Sequence, residues 1–184
     1  MARIKLLELE ETTGEERERY EELAGRNAVT NMKKGLLQDA ATYDAFMAWY
    51  TSWNRLVEVV GEQAAVIYAH SISTTNSCML CSLFFISDLK ALGLDPKNLE
   101  FNDKEKLLAT LGQQIVKDPT SVSDELFAQL KEQWNDKELV VIVGFASQMI
   151  ATNNFNSVFQ IDIDQRLVPI KDEFQPAAWR KDIQ

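Results

Sequence analysis

The chain is predicted to be all-α, and three observations lead there. Apolar residues recur at three- and four-residue intervals over most of its length, glycine and proline are read as punctuation between such stretches, and helix-start signatures open several of them. A chain of 184 residues with 46% apolar content can fill one core. It is therefore read as one helical domain over residues 1–184, with an N-terminal helical extension over about 1–38, a core over about 39–164 and a tail over 165–184.

Each element has its own signal. Thr13 with Glu16, Asn102 with Glu105, and Asn135 with Glu138 have the spacing of a capping box, in which a side-chain oxygen satisfies a free first-turn amide. Residues 39–60 read as one long helix with Tyr43, Phe46, Met47, Tyr50, Trp53 and Val57 on its apolar side, broken at Gly61. Helix continues over about 62–73, pauses at 74–77, and resumes from about Cys78 until Gly93 acts as a C-terminal stop. After Asn102, Leu107, Leu108, Leu111 and Ile115 share one stripe of a helix that ends before Pro119. Leu126, Phe127 and Leu130 repeat that spacing within 123–134, and a further helix runs from Asp136 to about Asn153. The one strand-like alternation, over 158–163, is too isolated to support a sheet. The tail beyond Arg166, with Pro169, Pro176 and Trp179, is expected to fold over the domain or to reach a neighbouring subunit.

Composition narrows the function classes. A formal net charge of -9 with no local basic patch repels phosphate backbones, so no nucleic-acid partner is expected. Residues 1–9 mix Arg3, Lys5 and Glu8 with apolar residues and hold no long apolar run, which argues against a secretory signal and for a cytoplasmic location. Two stretches, 63–87 and 139–161, carry no Asp, Glu, Lys or Arg. Both are studded with polar groups such as His70, Ser73, Asn76, Asn153 and Asn156, which hydrocarbon would leave unpaired. They are read as central helices of a core or a subunit interface, with no membrane partner.

The chemistry-bearing feature is the pair Cys78 and Cys81, the only cysteines, arranged Cys-Met-Leu-Cys directly behind Asn76-Ser77. Either Asn76 or Ser77 can cap a helix, which puts both thiols in its first turn. Free amides and the positive end of the helix dipole favour a thiolate there. Residues three apart on a helix hold their Cβ atoms about 5–6 Å apart, slightly more than the roughly 3.5–4.5 Å of a disulfide, so a bond between them needs a small adjustment and stays reducible. Two cysteines and one histidine are too few for a closed structural zinc site, and no metal or organic cofactor is implied. Inert core packing competes with redox chemistry, because Met79, Leu80, Leu83, Phe84 and Phe85 surround the pair with apolar groups that oppose ionisation.

The segment IYAHSISTTNSCMLCSLFF at 67–85 resembles the core motif of the carboxymuconolactone decarboxylase and AhpD-like family, in which one helix ends in an Asn-x-Cys-x-x-Cys turn that opens the next. ALGLDPKNLE at 91–100 resembles the turn that follows, and the stretch from DKEKLLATLGQQ to NNFNSVFQIDID is similar to the family's peroxidase-related branch. The resemblance covers about residues 43–164. It implies an AhpD-like helical bundle that forms homo-oligomers (dimers, trimers or hexamers), and hydroperoxide reduction or disulfide exchange by the cysteine pair, reset by a thiol reductant protein or small dithiol. The family's proton relay uses a Glu and a His, but their positions here hold Val66 and Phe85.

His70 lies one helical turn beyond Val66 and Glu62 one turn before it, so a substitute base can come from that face, with neutral His70 accepting the thiol proton. A lone histidine among Ile67, Tyr68, Ala69 and Ile72 is more often a satisfied core residue than a base. The candidate site is thus Cys78, Cys81 and His70. First-turn position favours Cys78 as the attacking sulfur, and the resemblance favours Cys81. A non-catalytic oligomeric scaffold or ligand-binding relative that has lost the relay is the alternative. Decarboxylation of a lactone acid is a third reading, with no basic cluster on the core helices to receive a carboxylate.

Overall fold

A computed structural model describes residues 1–179, so the last five residues of the expected tail, 180–184, lie outside the described residues. Among the described residues the chain forms α-helices and short 3-10 turns and no strand. The helices are α1 (Gly14–Gly25), α2 (Asn31–Leu36), α3 (Ala40–Met47), α4 (Trp49–Val60), α5 (Glu62–Thr75), α6 (Met79–Ala91), α7 (Asp103–Lys117), α8 (Asp124–Gln133) and α9 (Asp136–Val158). None is long and apolar enough to cross a membrane.

Helix α5, uncharged beyond its first residue Glu62, is the axis of the bundle. Ala65, Ile67, Tyr68, Ala69 and Ile72 are buried around its whole circumference, and α4, α6, α7 and α9 pack against it. Each large aliphatic side chain removed from water there contributes on the order of 1.5–3 kcal/mol. A second apolar cluster gathers Tyr20, Leu23, Leu36, Leu37 and Tyr43 from α1, α2 and α3, and Met32 and Phe155 touch both clusters. The N-terminal segment is tied to the far end of α9: the Arg3 amide donates to the Phe159 carbonyl at 2.8 Å, and the Asn31 amide to the Asp164 carboxylate at 2.8 Å.

The capping boxes at Asn102 and Asn135 form, each with the glutamate three residues on returning a bond to the cap amide. Thr13 also holds the cap position of its helix, but its hydroxyl makes no cap bond, and the next residue, Gly14, is left-handed (φ +53°). The expected continuous helix over 39–60 is two helices meeting at Ala48. Their aromatic residues have different destinations: Phe46 of α3 packs against Phe155, whereas Trp49 and Trp53 of α4 stack on each other and pack against Phe145.

The alternation at 158–163 belongs to no extended pairing. Helix α9 runs five residues past Asn153 to Val158 and closes when left-handed Gln160 (φ +49°) lets the Ile161 amide reach back to the Asn156 carbonyl at 3.0 Å. The following 3-10 segment, Gln165–Glu173, packs on α6. The tail then lies over the turn between α5 and α6: the Ala177 amide donates to Ser77 Oγ and the Trp179 indole to the Thr75 carbonyl, both at 3.0 Å.

Candidate active site

The cysteines sit where α5 hands over to α6. Asn76 ends α5, Ser77 makes the reversal in a left-handed conformation (φ +58°), and the Cys78 amide reaches back to the Ser73 carbonyl at 3.0 Å. Helix α6 therefore starts one residue later than the reading of Asn76 or Ser77 as cap, and Cys78 is itself the cap. Its sulfur takes the place a serine or aspartate oxygen usually fills, accepting the amide of Cys81 at 3.4 Å. Because a thiolate accepts that bond better than a thiol, the cap geometry favours the ionised form.

The two sulfurs, both free thiols, are 2.7 Å apart and buried, at 2% exposure for Cys78 and 4% for Cys81. Their environments push them in opposite directions. The Cys78 thiol is lowered, first by the hydrogen bond from the Cys81 thiol and then by the Cys81 amide, Ser157 and Asn156, against the cost of burial. Burial raises the Cys81 thiol, and the neighbouring Cys78 sulfur raises it further, while Asn156 opposes both. The pair titrates as a unit, so its first ionisation leaves one proton shared between two sulfurs and resting on Cys81.

Asn156 is the third member of the site, and sequence reasoning missed it. Its Nδ2 donates to Cys81 Sγ at 3.2 Å and to Met32 Sδ at 3.3 Å, while its Oδ1 is buried without a partner among the described residues. The available signal was the run of asparagines in a stretch without charge, since a buried amide must find partners.

A pocket adjoins one of the two sulfurs. A pocket of about 560 Å³ opens beside Cys81, walled by Phe46, Trp49, Tyr50, Trp53, Phe84 and Phe85, with Asn156, Lys33 and Arg166 also on its lining. That volume is in the range of small-molecule sites. Cys81 lines it and Cys78 does not.

The structure brings Cys78 and Cys81 together but not His70. Among the described residues the imidazole makes no hydrogen bond to either sulfur, and it does not line the pocket. Burial without a charged partner pushes it down to about 4, so it is neutral near pH 7. Val66 and Phe85, at the relay positions, are both buried, and Glu62 is exposed. Among the described residues no group of three or more His, Cys, Asp or Glu side chains gathers as a metal site. The chain matches no family model, no curated protein and no solved structure.

Proposed function

We propose that the chain is a thiol-dependent redox protein that reduces hydroperoxides, or exchanges disulfides with a partner, through Cys78 and Cys81. The observation that carries this reading is the contact of two free thiols at 2.7 Å, one held toward ionisation and the other facing an aromatic pocket. Loss of one proton to solvent leaves a monoanionic pair. Transfer of the remaining proton from Cys81 to Cys78 crosses only the sulfur–sulfur contact and leaves a Cys81 thiolate bonded to the Asn156 amide. Cys81 attacks although Cys78 ionises more readily, because a substrate reaches only the sulfur that lines the pocket.

The thiolate attacks the terminal oxygen of a hydroperoxide: an S–O bond forms, the O–O bond breaks, and the alkoxide leaves and takes a proton from water. Cys81 is thereby oxidised to the sulfenic acid. Cys78 attacks that sulfur, its proton leaves with the hydroxide as water, and the Cys78–Cys81 disulfide forms. The sulfurs need to close by only about 0.7 Å to reach a bond of roughly 2.05 Å. An external dithiol restores both thiols and becomes a disulfide itself. A reducing compartment such as the cytoplasm supplies such a dithiol.

Membership of the AhpD-like family is part of this reading, supported by the Asn-x-Cys-x-x-Cys turn joining two buried helices. Assembly into homo-oligomers is supported by Phe127, Val140 and Val143, large apolar side chains left exposed on α8 and α9. Burial of both thiols and the replacement of the relay by Val66 and Phe85 favour a second reading, a scaffold without catalysis.

Brief peroxide exposure followed by alkylation and mass spectrometry separates the two. The wild type should rapidly lose two alkylatable thiols that a dithiol restores. Cys78→Ser should accumulate sulfenic acid on Cys81, and Cys81→Ser should leave Cys78 unoxidised. Thiols that react only after unfolding establish the scaffold, and a Cys81→Ser variant oxidised at the wild-type rate refutes attack by Cys81.

A further inference from the structure

We infer that the pocket beside Cys81 binds a molecule with an apolar body and a carboxylate, the apolar part lying on the aromatic wall and the carboxylate held by Lys33 and Arg166. This rests on the redox reading only in making such a molecule's hydroperoxide the substrate; the binding site stands on its own geometry.

Lys33 is the first observation. It is 4% exposed, yet its ammonium has no ion pair within 4.0 Å among the described residues. The cation donates to the Ala28 carbonyl at 2.9 Å and sits 5.0 Å from the centre of the Tyr50 ring. An ammonium carries three N–H donors, and one bond with a ring face leaves capacity for an acceptor. Chain geometry places this residue near the chemistry: Met32 beside it shares the Asn156 amide with Cys81.

Arg166 is the second. It enters the same pocket from the 3-10 segment, lies 4.6 Å from the centre of the Phe84 ring, and makes no ion pair within 4.0 Å among the described residues. Two carboxylates lie within electrostatic reach. Asp88 lines the pocket, Asp164 lies off its lining but within the field of Arg166, Lys34 and Lys33, and burial pushes both carboxyls upward. With Asp88 ionised, the pocket lining still carries two cations against one anion.

The third observation is independent of charge. Two polar atoms of lining residues, Trp49 Nε1 and Asn156 Oδ1, are buried without a partner among the described residues. A carboxylate oxygen can accept from Trp49 Nε1, and the O–H of a hydroperoxide can donate to Asn156 Oδ1, which a carboxylate cannot satisfy. An aromatic wall, two cations and unsatisfied polar atoms together define a site for an amphiphilic anion rather than for a small neutral peroxide.

The test uses the full chain and reads the fluorescence of Trp49 and Trp53 during titration with decanoate and, separately, decanol. Decanoate should bind at least roughly ten-fold more tightly than decanol, since a charge-assisted hydrogen bond is worth that much. Lys33→Gln and Arg166→Gln should each remove that advantage while decanol binding is retained. Equal affinity for the two probes, no binding of decanoate, or loss of both probes in Arg166→Gln overturns the inference. The exposed Arg166 keeps the test decisive if the buried Lys33 variant fails to fold.

Oxidation of the wild-type thiols by cumene hydroperoxide is measured in parallel. If it proceeds while decanoate does not bind, the carboxylate site is refuted and the redox reading survives. Decanoate binding as expected, with thiols inert to every hydroperoxide, upholds the site and refutes the redox reading.

Discussion

Cysteine is an unusual residue to close a helix, and at position 78 that choice decides the local electrostatics. A sulfur at the cap position accepts the Cys81 amide and then the Cys81 thiol, so Cys78 is driven toward the thiolate by hydrogen bonds. Asn156 acts on the same pair from α9, and its contribution is measurable. The first thiolate forms on Cys78, where Asn156 is the weakest of the lowering contacts, so loss of its amide is worth at most about 1.5 kcal/mol, roughly one pH unit. Asn156→Ala should therefore move the ultraviolet thiolate titration of the pair upward by that amount, and Asn156→Ser should recover part of it. A titration midpoint that does not move in Asn156→Ala shows that the amide does not hold the thiolate. The sequence made the cysteine pair conspicuous through spacing alone, but nothing in the neighbourhood of residue 78 announces a partner 78 residues further on.

Among the helices, the α5–α7 contact is the tightest in its demands. A Cβ added at Gly112 would stand 2.8 Å from Ser71 Oγ, 2.9 Å from Ile72 Cγ1 and 3.1 Å from Tyr68, all on α5. Gly112→Ala should destabilise the protein by about 1–3 kcal/mol, the usual cost of overpacking, even though alanine is the better helix former. Gly144, on the open side of α9, has nothing within 4 Å, and Gly144→Ala should stabilise by up to about 1 kcal/mol. Denaturant midpoints of the two variants, measured side by side, test this; a shift of the same sign in both contradicts the packing assignment. Helix ends were well marked in the sequence where a box closed them, at Asn102 and Asn135, because capping is a bond between near neighbours. The division at Ala48 was hidden because Phe46 and Trp49 continue one apolar stripe while packing on different parts of α9.

For the molecule as a whole, pH stability carries the mark of one half-buried imidazole. His70 is pushed down to about 4 in the folded chain, against 6.5 when unfolded, so between those values the unfolded chain binds the extra proton. Stability present above pH 6.5 is lost as pH falls toward 4, on the order of 3 kcal/mol in total. His70→Gln should flatten the pH dependence of unfolding in that window relative to the wild type, and superimposable curves would show that His70 titrates normally. The all-α class, the joint at Gly61, the stop at Gly93 and the opening of a helix at the cysteine pair were legible from the chain alone, because periodicity, caps and glycine act within a few residues of each other. The tertiary structure decided which sulfur faces a pocket, that Asn156 and not His70 reaches it, and that Lys33 and Arg166 share the pocket with Cys81. Those facts depend on which faces of α2, α4, α6 and α9 meet. Apolar stripes fix that a face is buried; which side chains share the buried space is decided only when the helices pack.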